Sequence, residues 1–160
     1  EQANASLIVR DGQVIGSALV GQAFAAPGYL HPRPSAVDYD AAAAGASNLG
    51  PTSAALIADQ AARAVDFVAS TGAASVPVDA VTASGSGLDP HVSPENARAQ
   101  AARIAAARGV PPARVAALIE AQVEPRWLGL FGEPRVNVLA VNLALDAAFP
   151  AAPTGPRTEG

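Results

Sequence analysis

The stretch from residue 82 to residue 91 contains the residue types from which hydrolase active sites are built. Its polar members are Ser84, Ser86, Asp89 and His91. A Ser nucleophile needs a His base that an Asp orients, but the members of such triads usually come from distant parts of a chain. The nucleophile elbow also requires Gly-x-Ser-x-Gly, and Ser86 has Ser84 and Leu88 at the two outer positions. We therefore favour a Gly-rich turn whose side chains bond backbone amides ahead of a helix.

The same segment has a second possible use, because Gly85-Ser-Gly87 could offer backbone N–H groups to an anion. It matches neither the Walker loop nor Gly-x-Gly-x-x-Gly, so the pattern is a weak indication of a phosphate site. A small-ligand or nucleotide-binding module that uses residues 82–91, with ATP as the ligand, remains the alternative function.

The sequence predicts no metal site. His31 and His91 are the only histidines, and neither has a third ligand at helical spacing. Asp38-Tyr-Asp40 begins like a calcium loop, but the Gly and Glu of that motif do not follow. The absence of cysteine removes thiolate ligands, disulfides and Cys nucleophiles together.

Composition and charge limit the class of protein. The 160 residues suit one domain, and 40 of the 80 apolar residues are Ala, which predicts a thin core with closely packed helices. All ten basic residues are Arg, they are scattered from residue 10 to residue 157, and the net charge is −4. A nucleic-acid partner is therefore not expected. No apolar run reaches the roughly 18 residues of a membrane span, so we expect a soluble domain.

The elements that would position these residues begin with a hairpin. Two β-prone runs, 6–10 and 13–20, flank Asp11-Gly12, a dipeptide that suits a type I′ turn. Residues 22–51 are rich in Pro and Gly and predict a long loop. A structureless segment of that length is often functional.

Three helices are predicted after this loop. The first covers residues 52–70, ends near Gly72 and has one apolar face, formed by Ile57, Ala61, Ala64, Val65 and Val68. The second is capped by Ser93, has Pro94 at its first position and ends at Gly109. The third opens near Pro112 and stops before Pro125.

Two further strands are predicted, at residues 76–82 and 135–145. The fold class is therefore α+β: a single domain over residues 1–149, with a mixed sheet, an N-terminal β-hairpin and about three helices. Residues 150–160 are expected to form a flexible tail.

Three segments together resemble a known family, the C subunit of Kdp-type potassium-transporting ATPases. They are 82–93, Gly132-Glu-Pro-Arg-Val-Asn and onward to Asp146, and the pair Arg33-Pro-Ser-Ala and Ser47-Asn-Leu-Gly-Pro. The resemblance extends from about residue 3 to residue 146, with the segments in order. Members of the family usually begin with a membrane-spanning helix, so any contact with the membrane is expected only through such a helix, missing here.

The resemblance implies a non-catalytic accessory subunit of a high-affinity, ATP-driven potassium uptake pump in the bacterial plasma membrane. Its domain would lie on the extracytoplasmic or periplasmic side, with three partners: a channel-like potassium-binding subunit, a P-type ATPase subunit and a small membrane peptide. It would stabilise the complex or act as a catalytic chaperone that raises the affinity of the ATPase subunit for ATP. The chain itself would be no enzyme and hold no cofactor, with ATP reached only through the complex.

The polar residues of the three segments are the candidates for binding or assembly. They are Arg33, Ser35, Asn48, Ser84, Ser86, Asp89, His91, Arg135 and Asn137. Arg33 could pair with a carboxylate within the domain or on a partner, and a loop packed by its own hydrogen bonds is an equal alternative. For Arg33, Asp89, Arg135 and Asn137 we expect Ala substitution to weaken assembly more than it lowers the melting temperature.

Overall fold

The computed structural model describes residues 24–35, 53–84, 89–125 and 132–150, together with the backbone of 7–10 and 13–17. Along these residues the chain forms an α+β domain, as predicted. The helices are α1 (Ala54–Thr71), α2 (Val78–Val81), α3 (Pro94–Arg108), α4 (Pro112–Ala121) and α5 (Val138–Ala148). The strands are β1 (Leu7–Arg10), β2 (Gln13–Ser17), β3 (His91–Val92), β4 (Val123–Glu124) and β5 (Arg135–Asn137).

The described strands form two separate antiparallel sheets, which corrects the single mixed sheet of the prediction. One sheet has three strands in the order β3-β5-β4, with His91 opposite Asn137 and Val123 opposite Val136. Strands β1 and β2 pair only with each other and lie outside this sheet. The Asp11-Gly12 turn lies outside the described residues, as does the end of the tail, 151–160.

Helix α3 has the predicted boundaries. The Ser93 side chain accepts a hydrogen bond from the Asn96 amide, and Pro94 occupies the first turn. Gly109 ends the helix with φ +65°, a conformation that a residue with a Cβ rarely adopts. Local start and stop signals were sufficient here because they act within one helical turn.

Two predicted strands are helices in the structure. Residues 78–81 form the single turn α2, and residues 138–148 form α5, so only 135–137 of the predicted final strand is extended. In α5 the buried apolar residues recur at helical spacing: Val138, Val141, Leu145 and then Phe149. The Asn137 side chain accepts from the Ala140 amide and starts the helix directly at the end of β5. A short, nearly continuous apolar run does not by itself distinguish a strand from a buried helix, so the helical period was missed.

The apolar face predicted for α1 does not point into the domain. Ile57 is 57% exposed and Val65 is 68% exposed, and no described residue of α1 is buried. The side of α1 that lies against α2 and α3 is instead half-buried and partly polar, with Leu56, Arg63 and Phe67. The prediction of the helix was correct, and the periodicity that defined its apolar face did not determine which way the face points.

The core lies where α3, α4, α5 and the three-stranded sheet meet. Its members are Leu30, Val92, Ala97, Ala101, Ile104, Ala105, Val115, Ile119, Val136, Val138, Val141, Leu145 and Phe149. Three of them are Ala residues of α3, which lets α4 approach that helix closely, as the composition predicted. The core therefore supports β3 and β5, the two strands that contain the site candidates His91, Arg135 and Asn137.

Candidate functional site

Asp89 is the centre of the cluster formed by the predicted site residues. Its Oδ2 accepts a hydrogen bond from Arg33 Nη1 at 3.1 Å, and its Oδ1 accepts from the His91 amide at 3.0 Å. The His91 Nδ1 atom lies 3.4 Å from the same Oδ1. Both carboxylate oxygens are thus engaged within the domain. Of the alternatives left open for Arg33, the structure contains the internal ion pair.

The cluster also brings together the first residues of two of the motif segments, the one that begins at Arg33 and the one that begins at Thr82. The Ser84 amide donates to the Pro34 carbonyl at 3.1 Å, and Arg33 Nη2 lies 3.5 Å from the Thr82 carbonyl. Ser84 is buried, and Ser35 next to Pro34 is half-buried. Asn48 and Ser86 belong to the segments 36–52 and 85–88, which lie outside the described residues.

In the part of the chain that the structure describes, this cluster does not have the geometry of a hydrolase. The Ser84 hydroxyl lies 3.5 Å from the Asp89 amide, and no hydrogen bond joins it to His91. A Ser nucleophile must share a hydrogen bond with its base. Ser86 is outside the described residues, so its role, and nucleotide binding by residues 82–91, remain predictions.

The two candidates of β5 have separate positions. Asn137 lies opposite His91 and caps α5, and the Val138 amide donates to the Pro90 carbonyl at 3.0 Å, so this end of the strand adjoins the cluster. Arg135 lies at the other end and pairs with Glu124 of β4 at 2.9 Å. Both of those side chains are about half exposed, so Arg135 is no part of the cluster around Asp89.

Sequence reasoning missed a second set of polar residues, which binds the segment 27–31. The Asn142 side chain accepts from the Leu30 amide at 2.7 Å and donates to the Leu30 carbonyl at 3.0 Å. Gln100 makes the same two-sided contact with the backbone of His31, at 2.9 and 3.2 Å. One amide side chain on α5 and one on α3 thus hold two successive residues as a neighbouring strand would.

Two Arg residues of α3 complete this attachment. Arg103 donates to the carbonyls of Pro27 and Tyr29, at 2.6 and 3.1 Å. Arg108 donates to the Gly28 carbonyl at 2.6 Å and forms an ion pair with Asp146 of α5 at 2.9 Å. The signal available in the sequence was the spacing of Asn96, Gln100 and Arg103, polar residues on one helical face where a core helix normally has apolar ones.

The start of α3 has a third group of contacts, centred on Asp79 of α2. Its carboxylate accepts from the Ser93 amide at 2.7 Å, from the Ser93 hydroxyl at 2.8 Å and from Asn96 Nδ2 at 3.2 Å. These bonds link α2 to the first turn of α3, directly after β3. Together the three groups of contacts hold residues 27–34, α2 and the residues next to Asp89 against the core helices.

His31, the last residue of the segment 27–31, and Arg103, which bonds that segment, have shifted pKa values. Burial lowers the pKa of His31, a hydrogen bond to the Ala26 carbonyl opposes that effect, and the nearby charge of Arg103 lowers the pKa further. Burial also lowers the pKa of Arg103, which stays a cation at neutral pH as every Arg does. A buried cation and a neutral imidazole therefore adjoin, with Arg103 Nη1 3.3 Å from His31 Nε2.

The described residues contain neither a metal-binding group nor a membrane-spanning helix. No three His, Cys, Asp or Glu side chains among them are grouped closely enough to hold a metal ion. None of the helices within them is long and apolar enough to cross a bilayer.

Comparison with known proteins gives a consistent result. A family model described as the c chain of the K⁺-transporting ATPase matches residues 1–147. The chain is 69% identical over 148 residues to a potassium-transporting ATPase KdpC subunit of Cereibacter sphaeroides, covering 92% of this chain and 80% of that protein. It is 57% identical over 152 residues to a protein of the same name from Caulobacter vibrioides, covering 93% and 77%. A Rhodospirillum rubrum protein of that name is 56% identical over 156 residues, covering 95% and 81%.

Proposed function

This chain belongs to the KdpC family, the c chains of K⁺-transporting ATPases, and we propose that it works as a non-catalytic subunit that stabilises the assembled pump through protein–protein contacts. Its partners are the channel-like potassium-binding subunit, the P-type ATPase subunit and the small membrane peptide. The domain lies on the extracytoplasmic side of the plasma membrane. Raised affinity of the ATPase subunit for ATP follows from this stabilisation, without nucleotide binding by the domain itself.

The observation that carries this proposal is that two segments typical of the family start from one point. The Ser84 amide bonds the Pro34 carbonyl, and the Arg33–Asp89 ion pair lies beside this bond. The polar groups described there bond one another, since Asp89 accepts from Arg33 and from the His91 amide. The Ser84 hydroxyl has no hydrogen bond to His91 among the described residues, so these two residues do not form a nucleophile and its base. Loops positioned on a rigid base are the usual means by which a domain presents a binding surface.

The outward face of α1 supports the same proposal. Val65 is 68% exposed and Val68 is 42% exposed, and with Ala64, Ala69 and Val76 they line a shallow apolar hollow. Val78, at the start of the neighbouring helix α2, is 77% exposed. Exposed apolar side chains that adjoin one another are typical of protein interaction sites. We assign this surface, the α1 apolar face, to a contact with another chain of the pump.

The test is assembly of the pump in a bacterium that lacks only its own c chain, with the domain joined to a membrane-spanning helix. The wild-type domain is expected to restore growth at limiting potassium and to co-purify with the other subunits. Val65→Asp and Val68→Asp are expected to abolish co-purification, because a carboxylate in an apolar contact loses its hydration without gaining a partner. The KM for ATP of the purified pump is measured in the same samples.

The matched control is Ala117→Asp, which places the same carboxylate on the exposed side of α4. It should leave co-purification, growth and the KM for ATP unchanged. Normal assembly of both Val variants would show that the α1 apolar face is not the contact. Normal assembly with an unchanged KM for ATP when the domain is deleted would overturn the proposed function as a whole.

A further inference from the structure

A cleft of about 490 Å³ lies between the segment 24–35 and the helices α1, α2 and α3. This volume is within the range of small-molecule sites, which is about 300–1,000 Å³. Its walls come from separate parts of the chain, which the contacts of Arg103 and Gln100 hold together. Of the predicted site residues that the structure describes, only Arg33 lines it.

Three Arg side chains line the cleft, and their charges are unequally compensated. Arg33 is paired with Asp89. Arg63 of α1 donates to the Val81 carbonyl at 3.1 Å, and Asp66, which also lines the cleft, contributes one negative charge to its wall. Arg103 has no carboxylate among its acceptors in the described residues, since it donates to the Pro27 and Tyr29 carbonyls and to the Gln100 amide oxygen. The His31 Nε2 atom lies 3.3 Å from Arg103 Nη1.

Arg103 also has a donor that is not used within the described residues. Its Nε atom is buried and has no hydrogen-bond partner. The charge of Arg103 is thus not neutralised by an ion pair within the described residues. Counted over the described residues, the cleft has an excess of about one positive charge, which would attract an anion. His31 lines the same wall and has a lowered pKa, so its ring is neutral at neutral pH and does not change this balance of charge.

The remainder of the wall is largely apolar. Phe24 comes from the irregular segment, Phe67 from α1 and Ala80 from α2, and Pro32 and Pro34 flank Arg33. We propose that the cleft binds a small organic anion, a carboxylate attached to an apolar body. The carboxylate lies against Arg103 and Arg63, and the apolar body contacts the two Phe rings. This site does not include the residues of the α1 apolar face, and it adjoins the cluster around Asp89 through Arg33.

The experiment is a titration of the chain with benzoate at constant ionic strength, followed by the amide NMR signals. Benzamide is the neutral probe of the same shape, and inorganic phosphate is an anion without an apolar body. Benzoate is expected to shift the amides of Phe24 and Phe67 and to saturate. Benzamide and phosphate are expected to bind at least about tenfold more weakly, because each lacks one of the two recognised features.

Substitutions locate the site. Arg63→Gln should weaken benzoate binding about tenfold or more, as expected for loss of a charged hydrogen-bond donor. Arg98→Gln is the matched control, because Arg98 is an exposed residue of α3 that pairs with Glu120 away from the cleft. Arg103→Gln is used only if its melting temperature shows that the chain remains folded, since Arg103 also holds the segment 27–31.

Each outcome decides the proposal. Selective binding of benzoate that Arg63→Gln weakens and Arg98→Gln does not supports the site. Equal binding of benzoate and benzamide would overturn the requirement for a negative charge on the ligand. Equal binding of benzoate and phosphate would overturn the requirement for an apolar body. Absence of saturable shifts, or equal binding by the Arg63→Gln chain, would overturn the site.

Discussion

Arg33 and Asp89 lie 56 residues apart in the chain and form an ion pair of 3.1 Å. The pair joins the irregular segment 24–35 to the start of β3, and both side chains are less than one-third exposed. Two residues that the sequence identified as candidates for assembly are therefore partners of each other. Their substitution is expected to affect both the fold and the contacts that the adjoining loops make.

The first prediction concerns the strength of this pair. A double-mutant cycle with Arg33→Gln and Asp89→Asn should give a coupling free energy of about 1 kcal/mol, as expected for a pair that is only partly shielded from water. Urea unfolding of the four proteins measures it. The matched cycle is Arg135→Gln with Glu124→Gln, an exposed pair whose coupling should be smaller. Equal couplings would show that burial does not strengthen the pair.

The second prediction concerns the buried amide of Asn142. Asn142→Ala should lower the free energy of unfolding by about 2–4 kcal/mol, because both backbone groups of Leu30 lose their only described partner. Asn142→Leu is the control, since it fills the space without restoring the hydrogen bonds. If Leu recovers most of the lost stability in urea unfolding, packing and not hydrogen bonding explains the effect.

The third prediction concerns Arg108, whose side chain is 6% exposed. It donates to the Gly28 and Phe149 carbonyls, forms an ion pair with Asp146 and lies 4.9 Å from the centre of the Tyr29 ring. Arg108→Lys should cost about 2–4 kcal/mol despite conserving the charge, because a single ammonium group does not reach these acceptors together. Arg98→Lys, at an exposed pair, is the control, and a comparable loss of stability in that variant would contradict the explanation.

The fourth prediction concerns pH and His31. Burial and the charge of Arg103 lower the pKa of the folded chain's imidazole below its ordinary value of 6.5, against the hydrogen bond to Ala26. Above pH 6.5 the imidazole is neutral in both states, so its contribution to stability is fully present. As the pH falls through 6.5 towards the folded-state pKa, the unfolded chain binds the proton more readily and stability is lost.

Melting temperatures of the wild type and His31→Gln between pH 7.5 and pH 5 test this sign. The wild type should lose more stability than the variant over that range, and the difference between the two removes the contribution of the carboxylates that both share. Parallel curves would mean that His31 titrates alike in the folded and unfolded chains.

Local signals in the sequence and long-range packing determined different parts of this structure. Local signals predicted α3 with its Ser93 cap and Gly109 stop, and α4 beginning at Pro112, because capping and proline effects act within about one turn. The family resemblance was equally local, since it rested on short motifs in order, and the match over residues 1–147 agrees with it. The sequence by itself thus determined the family, the α+β class and the helices α1, α3 and α4.

The tertiary structure alone decided which polar residues meet. The spacing of Gln100 showed a polar face on α3 but not what that face binds. That Asn142, Gln100 and Arg108 bind the backbone of residues 28–31 depends on how α3 and α5 are packed. The direction of the α1 apolar face was also undetermined, since periodicity shows which residues share a face but not what the face meets. The helix α5 was mistaken for a strand because a short apolar run does not by itself distinguish the two. Burial against α4 and the Asn137 cap stabilise it as a helix. Long-range packing, and not local preference, therefore placed the site.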